Sequence, residues 1–402
     1  MIKEYFPIFE PLSGGSLQAQ LAELEAQVAR FISDNRLSPC HLLMTRVYLS
    51  DAANNQPEVE QHRLTLEVLN SGFVSYVEQP PLSGCKVALQ QWWIGDDALQ
   101  KIGTPDKMIA RLGEIAFYFQ SVRFAGGEGE DNAPDAQMRT AFLQHQAWLD
   151  TYGLNVADHC HRTWIFVRDV DREYAAVVKS RNEYFSEIGL TKNTHFIAST
   201  GIGGASFETS AAVAADFFSV SGVPETGVKY LQALDHLNHT HEYGVAFERG
   251  TALNLPLGRH LLISGTASID RFGQCVYRGD AVRQTERLVQ NIEALLRDGG
   301  ASLADMQYMV CYLRALADYP AVKACLQKLL PGVPCLMPLA RVCRPEWLVD
   351  IDGIAVRRLA IPLSSFFIFF NRQTQCRSVA LYAFFTLKNP AYPSQTPYYF
   401  EY

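Results

Sequence analysis

Two carboxylates stand two residues apart in VCRPEWLVDIDG (342–353), and their spacing is the first chemical feature of this chain. Val349 and Ile351 read as one apolar face of a strand, which puts Asp350 and Asp352 together on the other. Such a face is either solvated, or the floor of a pocket that needs a proton donor. A donor must still hold its proton near neutral pH, where an ordinary aspartate is ionised. Burial and a second acid nearby would each raise its pKa. Cys343 lies seven residues before Asp350 and reads on its own as a buried thiol. Arg162, Arg181, Arg249, Arg314 and Arg344 are each ordinary surface residues by themselves. Brought together they would form a clamp for carboxylates, which guanidinium groups bind bidentately without losing charge.

The elements that must position these residues follow from periodicity. RQTERLVQNIEALLRD (283–298) has apolar residues at helical spacing and a Gly299–Gly300 stop. MQYMVCYLRALADY reads as a strand, PAVKACLQKLL as a helix opened by Pro320, and WLVDIDGIAV as the last strand. LLISGTASIDRFGQCVYRG reads as a hairpin turning at Arg-Phe-Gly. Helix, HLLMTRVYLSDA, helix (17–70) repeats the order of helix, MQYMVCYLRALAD, helix (283–330). The expected class is α+β, with two tandem domains, each a sheet covered on one face by two helices. The middle stretch, with TWIFVRDVDREYAAVVKSRNEYF as strand and helix, is read as an extension of the first domain. The expected division is 1–235, 236–358 and an atypical tail, 359–402, which contains SFFIFF.

A net charge of −7 argues against nucleic acid and anionic membrane as general partners. MIKEYFPIFEPLSGG has no apolar leader, and nine scattered cysteines without CxxC pairs suggest reduced thiols, so a cytoplasmic protein is expected. His236, His239 and His241 are not accompanied by an evident acid or cysteine ligand, so no metal is expected. STGIGG (199–204) lacks both the Lys-Ser/Thr of a P-loop and the GxGxxG register, so no cofactor is expected.

ISGTASIDRFGQ, RQTERLVQNIEALLRDGGASLADM, VCYLRALADYPAV and LVDIDGIAV, in that order, resemble a reactive-intermediate deaminase (YjgF-like) domain. HRTWIFVRDVDREYAAVVKSRNEYF, ASTGIGG, AFERGT and SGTAS add a resemblance to the chorismatases, which carry a two-domain YjgF-like architecture and remove the enolpyruvyl group of chorismate as pyruvate. The resemblance implies a general acid at Asp350, where that family has the longer glutamate. It implies a small dianionic substrate whose carboxylates are held among Arg162, Arg249, Arg314 and Arg344, and a pocket lined by Gly201, Gly203, Gly204 and Gly265. Cys343 stands where the hydroxybenzoate-forming subgroup has a cysteine, which implies 3-hydroxybenzoate as the ring product, with 4-hydroxybenzoate and the dihydroxy-cyclohexadiene carboxylate as its alternatives. An imine or enamine deaminase and a non-catalytic binding protein are the competing readings. Two domains in one chain imply a monomer, where single-domain relatives form trimers.

Overall fold

The computed structural model describes residues 3–125 and 132–358; SFFIFF and the rest of the tail from 359 lie outside the described residues. Among these residues three sheets form. The first holds β1 (Lys3–Tyr5), β2 (Ile8–Phe9), β3 (Leu42–Leu49), β4 (Phe73–Glu78) and β5 (Val87–Gly95), with α1 (Leu17–Asn35), α2 (Ala52–Gln61) and α3 (Arg63–Glu67). The second holds β6 (Gln100–Thr104), β7 (Lys107–Leu112), β8 (Ile115–Val122), β9 (Cys160–Val167), β10 (Ala198–Gly203) and β11 (Val213–Ser221). Its helices are α4 (Pro134–Asp150), α5 (Val156–His159) and α6 (Val170–Glu187). The third holds β12 (Val228–Tyr230), β13 (Gly250–Leu255), β14 (Gly258–Ala267), β15 (Met306–Leu313), β16 (Cys335–Leu336) and β17 (Val349–Arg357), with α7 (Ala281–Asp298) and α8 (Tyr319–Leu329).

The α+β class and the repeated sheet-and-helix unit are as the sequence predicts, but the middle stretch is a unit of its own. It does not extend the first sheet; its six strands form a separate sheet in the order β10-β9-β11-β8-β7-β6. Its β7–β8 hairpin is KMIARL-GE-IAFYFQSV, turned by Gly113 at φ 62°. A further difference concerns the third sheet. Its hairpin is β13–β14, and the turn at Arg271-Phe272-Gly273 closes a single bridge between Ile269 and Cys275.

The three units share one wiring. In each, an eight-residue strand (β3, β9, β15) pairs antiparallel with a nine-residue strand (β5, β11, β17). The register is the same each time: Val87 opposite Leu49, Val213 opposite Val167, Val349 opposite Leu313. A shorter strand (β4, β10, β16) then runs parallel to the eight-residue strand.

Alternation along the nine-residue strands decides what faces what. Val87, Leu89 and Trp93 of β5 pack with Leu21, Leu24 and Val28 of α1, and Val213, Ala215 and Phe217 of β11 pack with Met138 and Phe142 of α4. The opposite faces, Ala88 and Trp92 of β5 and Ala214 and Phe218 of β11, join one core shared by all three sheets. Position four of each strand, Gln90, Asp216 and Asp352, therefore points to the place where the sheets converge, and all three are buried. Charge buried that deeply has to be paired, and it is: Arg46 of β3 meets Asp216 at 2.9 Å, and Arg162 of β9 meets Asp352 at 3.0 Å. Trp164 lies between these two arginines, 4.3 Å and 4.5 Å from their guanidinium carbons. No helix among the described residues is long and apolar enough to cross a membrane.

Candidate functional site

A cavity of about 680 Å³ opens between α6, β10 and the third sheet, with Asp350 among its lining residues. Position two of β17 puts Asp350 on the converging face, beside Asp352 and opposite the face that Val349 and Ile351 present. The side chain is 5% exposed and its Oδ1 has no hydrogen-bond partner. Burial, and then the charge of Asp352, push its pKa from 3.8 up to about 8; the Thr266 backbone N–H, Arg162 and Arg249 pull the other way. The reading of this acid pair as a solvated face is therefore excluded.

Gly265 makes this placement possible. A Cβ there would lie 2.8 Å from Asp350 Oδ1 and would displace the carboxyl. Gly201 does the same for α6, since its Cβ would meet the Tyr174 hydroxyl at 2.7 Å. Tyr174, Val178 and Arg181 follow one face of α6 at helical spacing and line one wall of the cavity.

Three guanidinium groups line the same cavity: Arg181, Arg249 and Arg344. Arg181 is 1% exposed, yet its Nε and Nη2 have no partner. Arg249 donates from Nη2 to the Asn238 carbonyl (3.1 Å) and to Asn238 Oδ1 (3.3 Å), and its Nε is unpartnered. Arg344 lies 5.2 Å from the ring centroids of both Tyr243 and Trp347, which fixes its planar head without using its N–H groups. Buried donors without partners next to an aromatic wall suit an anionic, planar guest. Cys343 lines the cavity beside Tyr174; burial and then Asp350 push its thiol up to about 12, so it stays protonated.

The structure thus gathers Asp350, Cys343, Arg249, Arg344, Gly201 and Gly265 in one place, and leaves four of the expected residues outside it. Arg162 does not line the cavity. It is fully committed beneath it, donating to Asp352, Thr200 Oγ1 and two backbone carbonyls. Arg314 donates to the Val342 carbonyl and to Asp171, and borders a separate groove with Gly203 and Gly204. Those two glycines do not form a ligand loop. ASTGIG is strand β10, and added Cβ atoms would meet Arg341 at Gly203 and Val77 at Gly204, so both serve close packing between units. The expectation that Arg162, Arg314, Gly203 and Gly204 touch the guest is corrected on these grounds. Arg181, one of the five arginines of the expected clamp, lines the cavity, and Tyr174, Tyr243 and Trp347 join it although residue type alone does not single them out. The seven-residue spacing of Tyr174 and Arg181 on a helix is the signal that links those two.

The site can donate a proton from a buried acid to a guest held by fixed positive charge. Comparison with known proteins adds the following. Residues 251–357 match the family described as Endoribonuclease L-PSP. The 3-aminoacrylate deaminase RutC of Acinetobacter baylyi is 31% identical over 99 residues, 23% of this chain and 75% of that protein. A RutC family protein of Pyrococcus abyssi is 34% identical over 65 residues, 16% of this chain and 51% of that protein. Among solved structures, the crystal structure of a chorismatase is similar with a TM-score of 0.60 and 17% identity, covering 88% of this chain and 98% of that one. At that identity the likeness is one of fold.

Proposed function

This chain belongs to the Endoribonuclease L-PSP (YjgF-like) family, and we propose that within it the chain cleaves chorismate, releasing pyruvate and a ring acid. The observation that carries this reading is a buried carboxyl, Asp350, with an unpartnered oxygen in a cavity with three guanidinium groups; its burial favours the protonated form. The fold shared with a chorismatase supports it.

Chorismate has two carboxylates and an enol ether. Arg181, Arg249 and Arg344 hold the carboxylates. Asp350 gives its proton to the methylene carbon of the enolpyruvyl group, which becomes a methyl group. The adjacent ether carbon becomes oxocarbenium-like and is captured by water or by the ring hydroxyl. Collapse of that adduct breaks the ether bond and releases pyruvate. A general acid placed in this way contributes roughly 10²–10⁴-fold in rate. After capture by water the ring product is the dihydroxy-cyclohexadiene carboxylate, and loss of one ring hydroxyl and one ring hydrogen as water then gives 3-hydroxybenzoate; Cys343, protonated beside the ring, assists that loss or restricts where water can reach. Because α6, β10 and the third sheet of one chain line the cavity, the working unit is a monomer; light scattering at micromolar concentration checks this, and a trimer would contradict it.

The second reading is an imine or enamine deaminase, favoured by the likeness to a 3-aminoacrylate deaminase. It is weakened by Cys335, which stands on β16 about where the family resemblance expects a carboxylate-binding arginine. Incubation of the purified protein with chorismate, following pyruvate and identifying the ring product, separates the two. Pyruvate with 3-hydroxybenzoate is expected. Ammonia from 2-aminoacrylate without pyruvate from chorismate would support the deaminase, and silence in both assays with tight chorismate binding would support a binding protein.

A further inference from the structure

The residue beneath the donor offers a second inference, which rests on the reading of Asp350 as proton donor. Asp352 lies two positions along β17 on the same face and is 1% exposed. A single oxygen, Oδ2, accepts from Arg162 Nη2 at 3.0 Å, Thr200 Oγ1 at 2.7 Å and the Tyr312 hydroxyl at 3.2 Å. These donors come from β9, β10 and β15, so two sheets hold the carboxylate in place. Thr200 Oγ1 also accepts from the Gly265 N–H at 3.0 Å, which ties the same network to the glycine that leaves room for Asp350.

The second sheet contains a twin. Asp216 of β11 accepts from Arg46 Nε (3.2 Å) and Nη2 (2.9 Å) and from Ser75 Oγ at 2.5 Å, and pairs with Arg123 at 3.0 Å. Joining adjacent sheets explains both acids. The neighbours differ: two positions before Asp216 stands Ala214, and two before Asp352 stands Asp350. Only in β17 does the fixed negative charge act on a second carboxyl.

The other groups around Asp350 do not supply this effect. Arg162 from β9 and Arg249 before β13 draw its proton away. Cys343 from the segment before β17 and Cys311 from β15 are thiols that burial keeps neutral. Arg181 and Arg344 line the cavity as further positive charge, while burial holds the hydroxyls of Tyr174 and Tyr243 neutral.

We propose that Asp352 is a positioning residue: fixed by hydrogen bonds from Arg162, Thr200 and Tyr312 two positions along the strand from Asp350, it maintains Asp350 as the donor, so an inter-sheet link also serves the site. The test is a carboxyl titration by NMR on the full chain carrying ¹³C-labelled aspartate, with the Asp350 resonance identified by its loss in Asp350→Asn. In the unsubstituted protein its midpoint is expected at about 8. Asp352→Asn is expected to lower it by about one unit or more, and Asp216→Asn to leave it in place. The Asp352→Asn, Arg162→Gln double variant removes the ion pair as a whole and keeps the test available if the lone Arg162 charge prevents folding; a smaller fall in the same direction is expected. An Asp350 midpoint that stays put in Asp352→Asn and in the double variant overturns the proposal, as does an equal fall in Asp216→Asn. Pyruvate release is measured separately. Its absence, with the Asp352 effect present, removes the chorismate reading and leaves the coupling of the two acids supported.

Discussion

Where β17 reads Val-Asp-Ile-Asp, β11 reads Val-Ala-Ala-Asp, and the two strands sit in the same register against their neighbours. β17 contributes Asp350 to the cleft with the preceding unit, whereas none of the residues lining the cleft between the first and second sheets comes from β11. The cleft between the second and third sheets has Asp350 and three arginines with unpaired or stacked heads. The cleft between the first and second sheets is larger, about 870 Å³, and is lined by the amides Gln56, Asn70, Gln120 and Gln144 together with Glu60, Asp106, Glu208 and Lys107. Its lining arginine, Arg123, is already paired with Asp216 at 3.0 Å. Volume and wiring are therefore not what makes one cleft chemical. The difference is a buried acid, Asp350, where the other cleft has only the exposed or half-buried Glu60, Asp106 and Glu208, together with guanidinium groups whose N–H donors are still free.

Exchanging the residues that differ breaks that comparison most severely. Asp350→Asn should lower chorismate turnover by roughly 10²–10⁴-fold with the circular dichroism spectrum unchanged, and adding Ala214→Asp in that background should restore nothing; pyruvate release reads both. The same substitution should raise the melting temperature by a few degrees at pH 8. The folded pKa of Asp350 lies above its unfolded value, so its contribution to stability is full below about 4 and lost as pH rises through about 8. Asparagine removes that loss.

Removing the unpaired charge is the next largest change. Arg181→Met and Arg249→Met should each raise KM by roughly 10–150-fold, the worth of about 1.5–3 kcal/mol for a charged hydrogen bond, with a smaller effect on kcat. Steady-state kinetics at pH 7 separates the two parameters, and an unchanged KM would place the guest elsewhere. Gly265→Ala presses on Asp350 Oδ1 from 2.8 Å. Pushing that side chain off its rotamer costs about 0.5–1.5 kcal/mol, so kcat should fall by up to about tenfold. Cys343→Ala should leave the rate nearly intact and shift the ring product toward the non-aromatic diol, which chromatography resolves; an unaltered ratio removes the thiol from product choice.

Much of the third unit was legible in the sequence because its signals are local. Leu288, Ile292, Leu295 and Leu296 mark α7, and the alternation through Val349–Asp352 marks β17 with both acids on one face. What alternation does not tell is which sheet that face meets. Arg162 pairs with Asp352 across 190 residues, so its role is invisible to spacing, and it looked equivalent to the arginines that reach the cavity. The middle unit was hidden for a different reason. The helical face of α4 is diluted by Gln137 and His145, both buried polar residues, and its two-residue Gly113–Glu114 hairpin went unread. Asp350 was identifiable as a candidate donor from its type and neighbour, but its burial became visible only once the second and third units closed around it.

Catalysis here begins when the substrate's double bond takes a proton from a carboxyl that still holds it near neutral pH. The pH dependence of kcat/KM for chorismate cleavage, which reports groups of the free enzyme, tests it most directly. The account predicts a plateau at neutral pH that falls about tenfold per unit above roughly 8, and that this limb disappears with the activity in Asp350→Asn. A rate that rises through pH 8 would contradict it, because the working form of the group would then be the ionised one.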